Sequence, residues 1–365
     1  MSVPTAPFRE HGVRSFVISR LSAVPGLRLS MDEFGNVRAR LHRGRPARRF
    51  VFSAHMDHPG FVAVSASRAG RALAEFRGGW PAKSLVGARA VFHGSKGPVP
   101  IRVLSGRRMG KGRPSRFVCR LSGRGAVRPG DIGTWAFSAV SIRGSRVFAR
   151  ACDDLGGVAC LLALLPSLAA ERRAIDVTAL FTRAEEVGFL GALAAAASGG
   201  IPKSAIAISL ETSSEKSGAR MGAGPVVRVG DRASVFDPEV TRYLVSVGSK
   251  ALGPAKKGGV PRFQRRLIDT GACEGTAFQA LGLRTGALSI PLGNYHNQGP
   301  NGRISPEIVD LGDLEGMVTL CRVAVLRAER YDRIAKRIPK KLRARARAAM
   351  RELRRTMRLP SLSSE

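Results

Sequence analysis

The sequence predicts an α/β protein: a mixed, mostly parallel sheet with helices on both faces, carrying a small inserted all-β domain. Three observations lead there. From Val147 onward, strand-like and helix-like segments alternate, as in βαβ units. Between about Ala66 and Arg146 this gives way to short alternating segments parted by Gly, Pro and Ser, the texture of an all-β module. Finally, several apolar runs short enough to be buried strands each lead into His, Asp or Glu, as expected where ligands gather beyond the carboxyl ends of an open sheet.

Taken in order, Phe8 to Ala23 has helical periodicity and stops at Pro25-Gly26. Leu27 to Ser30 and Val37 to Leu41 form a hairpin around Asp32-Glu33-Phe34-Gly35-Asn36, where Gly35 and Asn36 suit positive φ. Phe50 to Ala54 is a buried strand delivering His55-Met56-Asp57. Within the insert, Ala88 to His93, Val99 to Leu104, Arg116 to Leu121 and Val140 to Ile142 read as strands, and Glu75 and Asp131 are the only acids. Strands Val177 to Thr182, Ala205 to Leu210 and Thr285 to Ile290 follow, each running towards a candidate ligand. Helices are expected over Leu155 to Ala170, Val187 to Ala197, Glu274 to Leu281 and Glu307 to about Arg333. Lys336 to Leu359 is a Lys/Arg/Ala/Leu helix, read as an electrostatic anchor, an assembly arm or a solvated terminal helix. Ser361 to Glu365 is expected to fray. The expected division is residues 1–65 and 147–335 as the catalytic domain, 66–146 as the insert, and 336–365 as a basic tail.

Composition narrows the function. With 60 Lys and Arg against 27 Asp and Glu, the formal net charge is +33. The basic residues are spread along the whole chain, and aromatics make up only 6%, so few platforms exist for base stacking. A nucleic-acid partner is not expected beyond nonspecific electrostatic binding. No apolar run reaches 18 residues, so neither a membrane span nor a membrane partner is expected. Met1 to His11 lacks the features of a signal peptide. Five widely spaced cysteines without a CxxC pair argue against a disulfide scaffold or a cysteine zinc site, and point to a reducing cytoplasm.

The candidate ligands divide by type. His55 and Asp57, two apart at a strand end, point to one side, so Asp57 can orient a metal-binding His55. Asp153-Asp154 ahead of an apolar helix serves either as an N-cap or, through two carboxylate oxygens, as a bridge between cations. In Glu185-Glu186, one carboxylate can bind metal while its neighbour acts as general base on a water; a first helical turn also favours Glu. Glu211 ends an apolar strand, and His296 lies in a turn-rich loop. Each has an ordinary explanation singly; together, in this order on strand ends, they read as one site.

These residues resemble the co-catalytic dinuclear zinc aminopeptidases of the tetrahedral-aminopeptidase and glutamyl-aminopeptidase type. The similarity rests on Ser53-Ala54-His55-Met56-Asp57, Cys152-Asp153-Asp154, Ala184-Glu185-Glu186-Val187-Gly188 and Ile290-Pro291-Leu292 with His296. Phe76-Arg77-Gly78-Gly79-Trp80, Leu85-Val86-Gly87 and Val127-Arg128-Pro129-Gly130-Asp131 are similar to landmarks of that family's inserted β domain. The resemblance spans roughly Phe16 to Arg327. It implies two divalent ions per chain, zinc with cobalt or manganese as alternatives, bridged by Asp153. His55 and Glu186 would complete one ion's coordination, Glu211 and His296 the other's. Glu185 would be the base for a water shared by the metals, and Asp57 would support His55. The implied activity is removal of the N-terminal residue from short peptides by a homo-oligomer, a dimer or a dodecamer built from dimers. The insert is implied to dimerise. Departures are His58-Pro59 after Asp57, Leu155 where Arg is frequent, Glu211 in place of Asp, and a loosely matching Gly271 to Thr276 that leaves Glu274 as a contact for the substrate amine or a helix cap. Two other readings use the same residues: a related metal-dependent amidohydrolase or deacylase, and an inactive basic binding protein.

Overall fold

A computed structural model describes residues 1–66, 69–79, 85–107, 109, 114–122, 125–253 and 262–357. Helix α1 (His11–Leu21) precedes the hairpin of β1 (Leu27–Met31) and β2 (Val37–Arg43), and then β3 (Phe50–His55). The chain next builds β4 (Gly60–Ala66), β5 (Arg71–Arg77), β6 (Arg89–Gly94), β7 (Gly97–Arg107), β8 (Ser115–Leu121) and β9 (Ile132–Trp135). A short pair follows, β10 (Val140–Arg143) and β11 (Arg146–Ala149). Helices and strands then alternate: α2 (Leu155–Ala169), β12 (Ile175–Thr182), α3 (Leu190–Ala197), β13 (Ile206–Ser214), β14 (Val226–Asp231), α4 (Pro238–Ala251), β15 (Gln264–Ile268), α5 (Glu274–Ala280) and β16 (Arg284–Leu292). Last come β17 (Glu307–Asp310), α6 (Leu311–Leu326), α7 (Tyr331–Ala335) and α8 (Arg337–Thr356).

The main sheet has eight strands in the order β1-β2-β12-β3-β13-β16-β14-β15. Its centre is parallel, β12 with β3, β3 with β13 and β13 with β16, whereas β1, β2 and the β14–β16 pairing are antiparallel. Period-two alternation divides each central strand between two cores. Phe50, Phe52, Val177, Ala179, Ile206 and Ile208 face α2, α4 and α6. Val51, Leu180 and Ala207 face α3 and α5. Both faces are thus covered, and β3 is buried throughout its length, as a central parallel strand requires. Helix starts are set by side chains: Asp154 accepts from Gly157 N at α2, and Asp237 accepts from Glu239 N and Val240 N ahead of Pro238 at α4. Phe52 is fully buried and stacks on Phe50 with centroids 6.1 Å apart. Its replacement by alanine is expected to cost roughly 3–5 kcal/mol, measurable as a lowered urea midpoint.

The second unit is a closed barrel, β4-β5-β8-β7-β6-β9, with a core that includes Phe61, Phe76, Phe92, Phe117 and Trp135. It takes up the chain at Gly60, ahead of the expected start at 66. Val140 to Ile142, read from sequence as part of the insert, instead pairs outside the barrel: β10, β11 and β17 form a separate three-stranded sheet. The helix expected from Glu307 begins at Leu311. Glu307 to Asp310 pairs with β11, and Asp310 then caps α6 by accepting from Gly312 N. The sequence reading did not foresee β4, β5, β14, α4 or β15. Trp80 and residues beyond 357 lie outside the described residues. No helix among the described residues is long and apolar enough to cross a membrane.

Candidate metal centre and active site

Strands β12, β3, β13 and β16 are parallel neighbours, so their carboxyl ends open on one edge of the sheet. His55 is the last residue of β3, and Glu211 sits in the C-terminal half of β13. Glu185 and Glu186 begin a short 3-10 turn after β12, His296 lies just beyond β16, and Asp153 immediately precedes the cap of α2. Left-handed backbone at Ala184 (φ 52°) and His296 (φ 53°) turns the two loops sharply; such strain in non-glycine residues gathers at functional sites.

Five candidate ligands meet here. His55 Nε2 lies 3.3 Å from Asp153 Oδ1 and 3.5 Å from Glu211 Oε1. His296 Nε2 lies 3.5 Å from Asp153 Oδ2 and 3.2 Å from Glu186 Oε2. Asp153 therefore stands between two imidazoles, one carboxylate oxygen toward each. The short distances group His55 with Glu211 and His296 with Glu186, the reverse of the partition implied by the resemblance. Ligand atoms of His55, Asp153 and Glu186 also lie within 4.8 Å of one another, as do those of His55, Glu185 and Glu211, so the cluster is tight throughout. Glu185 Oε2 is 3.8 Å from His55 Nε2, at the edge of the group.

Both imidazoles are oriented towards the cluster. His55 Nδ1 faces the Asp57 carbonyl at 3.1 Å and His296 Nδ1 faces the Gly79 carbonyl at 3.2 Å. A carbonyl only accepts, so each Nδ1 carries a proton and each Nε2 is turned to the carboxylates, where a bound cation would take the place of its proton. The Asp57 carbonyl is the nearer acceptor for His55 Nδ1, and the Asp57 carboxylate Oδ1 stands 3.6 Å from the same nitrogen. That carboxylate also accepts from Glu185 N (3.0 Å) and Glu186 N (3.1 Å), fixing the loop that carries both glutamates.

Three supporting residues were not read from sequence. Glu307 is fully buried and accepts from Cys152 N, Asp153 N and His296 N at 2.7, 3.0 and 2.8 Å, tying two ligand-bearing loops together. Glu10 accepts from Ala184 N and from Arg183 Nε. His58, which departs from the family pattern after Asp57, is buried, with its ring nitrogens 2.6 Å from the Asp153 carbonyl and 2.9 Å from Asn297 Oδ1. Glu274 is fully buried in the first turn of α5 and is not among the residues lining the cavity described below.

Crowded buried charge perturbs the metal-free site. Burial would raise Asp153, but hydrogen bonds from His296 and His55 hold its carboxyl well below the usual range. Burial pushes Glu185 well above its ordinary value, with Glu211 and Glu186 adding to it against His55. Burial, then the Asp153 charge, pushes Glu211 up to about 7, and burial chiefly pushes Glu307 to about 7. Both histidines are drawn down by burial yet held well above 6.5 by the surrounding carboxylates, Glu185 first at His55 and Glu186 first at His296. An unfolded Glu titrates near ~4.3, so between there and about 7 the folded chain keeps protons that the unfolded chain has released. Stability then falls as pH rises through that window. The raised histidines act with the same sign above ~6.5, their contribution being lost towards their folded values. Metal-free protein is therefore expected to show a urea midpoint that declines from mild acid to mild alkali, and added divalent cation should restore it.

The site opens into a cavity of about 970 Å³, lined by Glu185, Glu186, Glu211 and His296 at one end and by Lys216, Arg228 and Arg232 elsewhere. Fold and site thus define the class: an α/β protein with an inserted barrel, whose sheet edge gathers candidate metal-ligand side chains beside a large cavity. The chain belongs to the M42 glutamyl aminopeptidase family, whose model matches residues 123–320 and so takes in Asp153, Glu185, Glu186, Glu211 and His296. It is 28% identical over 180 residues to a putative aminopeptidase of Acetivibrio thermocellus; that match covers 47% of this chain and about half, 50%, of the relative. Two solved structures have similar folds. The TET1 peptidase of Pyrococcus horikoshii is 23% identical, with a TM-score of 0.70 over 88% of this chain and 96% of that one. An aminopeptidase from the archaeon Desulfurococcus kamchatkensis is 22% identical, with a TM-score of 0.73 over 91% and 94%.

Proposed function

We propose that the chain is a metal-dependent aminopeptidase that holds two divalent ions and removes the N-terminal residue from short peptides. The observation carrying this reading is the convergence of His55, Asp153, Glu186, Glu211 and His296 on one buried cluster, with Glu185 at its edge. The donor set fits hard or borderline cations. Glu186 Oε1 is buried without a hydrogen-bond partner, and both Nε2 atoms are turned towards the carboxylates. His55, Glu211 and one oxygen of Asp153 would hold one ion; His296, Glu186 and the other oxygen would hold the second. Zinc suits this set, with cobalt and manganese as alternatives. When bound, such a pair polarises a carbonyl and makes water a nucleophile at neutral pH.

The chain's own residues would do the rest. Glu185 takes the proton of the attacking water and returns it to the departing amine. Asp57, by holding the Glu185 and Glu186 amides, fixes where that carboxylate reaches. Substrate choice is assigned to Arg228, a cavity-lining side chain only 2% exposed. Its Nε has no hydrogen-bond partner, and its Nη2 is 3.8 Å from Asp231 Oδ2, too far for a good hydrogen bond. A buried guanidinium with unused donors favours an acidic first side chain, and Lys216 and Arg232 add to the field. Arg228→Met is expected to lower kcat/KM for a glutamyl anilide by about 10²-fold relative to a leucyl anilide. Equal losses on both would remove Arg228 from selection.

Residues 1–65 and 147–335 would form the catalytic domain, 66–146 a dimerisation domain and 336–365 a tail, in a cytoplasmic homo-oligomer. The Pyrococcus horikoshii peptidase can assemble into a tetrahedron or a large octahedral shell; a dimer, or a dodecamer built from dimers, is the corresponding proposal here. The activity is tested with paired peptides, free and N-acetylated. Hydrolysis of the free peptide alone supports an aminopeptidase, whereas hydrolysis of the blocked one makes the chain an amidohydrolase of another kind.

A further inference from the structure

Helix α8 stands apart from the core, with none of its residues buried. At 3.6 residues per turn, Ile338, Leu342, Met350 and Leu353 fall on one arc of about 120°, and Met357 follows directly after the helix. They are 50%, 59%, 52%, 68% and 72% exposed. All nine Lys and Arg residues between Arg337 and Thr356 fall on the remaining arc, with Glu352 the one acid among them. A merely solvated helix has no need for so clean a separation of large apolar side chains from cations.

The partner must match both faces. A second copy of the chain could cover the stripe but would leave the nine cations facing further cations, with no counter-charge. Nucleic acid would neutralise the cations but give the Ile, Leu and Met stripe nothing apolar to enter. A bilayer surface with anionic headgroups offers both, since a basic amphipathic helix lies in its plane with the stripe at the acyl boundary. The expectation of no membrane partner rested on the lack of a long apolar run, which detects only helices that span.

We propose that α8 is an interfacial helix that docks this protein on an anionic lipid surface. Because α8 is exposed, its variants leave the core and the candidate metal centre untouched. The test is flotation of the full chain with phosphatidylcholine vesicles, with and without phosphatidylglycerol, at physiological salt. Wild type should float with the anionic vesicles only. The double variant Leu342→Ser, Leu353→Ser keeps every charge and should bind at least about tenfold more weakly. Undiminished binding by that variant would overturn the proposal, because adsorption would then be a property of net charge alone. Equal flotation with neutral vesicles, or no flotation at all, would overturn it too. So would retention of an RNA oligonucleotide, insensitive to the leucine changes, by a chain that ignores vesicles.

Discussion

Glu185→Gln is expected to lower kcat by about 10²–10⁴-fold while leaving two metals per chain and KM little changed. Glutamine fills nearly the same volume and keeps an acceptor oxygen, but it cannot hold a proton taken from water. The proposed role of Glu185 as general base rests on three placements. Its backbone is fixed by the Asp57 carboxylate, its side chain lines the cavity, and its Oε2 lies farther from His55 Nε2 than the oxygens of Asp153 or Glu211 do. Kinetics on a peptide anilide, paired with metal analysis of the purified variant, separates the two roles. Loss of a metal along with activity would make Glu185 a ligand.

Glu307→Ala is expected to damage both folding and metal affinity, although Glu307 is not placed as a ligand. Its two oxygens accept three buried amides, those of Cys152, Asp153 and His296. Removing it leaves all three without their acceptor, at about 1–3 kcal/mol for each that finds no replacement. It also frees the loops holding Asp153 and His296 relative to one another, so a 10–100-fold loss of metal affinity is expected. Competition with a chromophoric chelator measures the affinity, and urea unfolding measures the stability. Loss of stability with metal affinity unchanged would show that the loops are fixed without Glu307.

How much of this was legible in the sequence follows from where the information lies. The central strands were readable because burial on both faces leaves continuous apolar runs such as Phe50-Val51-Phe52 and Ala205-Ile206-Ala207-Ile208. The candidate ligands were readable because those runs lead into them. The supporting carboxylates were not, since a Glu that accepts backbone amides from distant loops leaves no local pattern. Glu307 did carry one signal: β-branched Ile308-Val309 after it favour a strand over a helix. Which candidate ligands lie nearest one another was out of reach, because it depends on side chains from separate segments meeting across the sheet edge. The exposed face of α8 was visible as charge, but its free position was not.

Metal titration of the chelated chain, read as release of the first residue from a glutamyl peptide, tests the central claim most directly. The expected result is activity that is absent without metal and returns with zinc or cobalt, saturating when two ions are bound per chain. A chain that binds no metal, or that hydrolyses the peptide equally well after complete chelation, would contradict it.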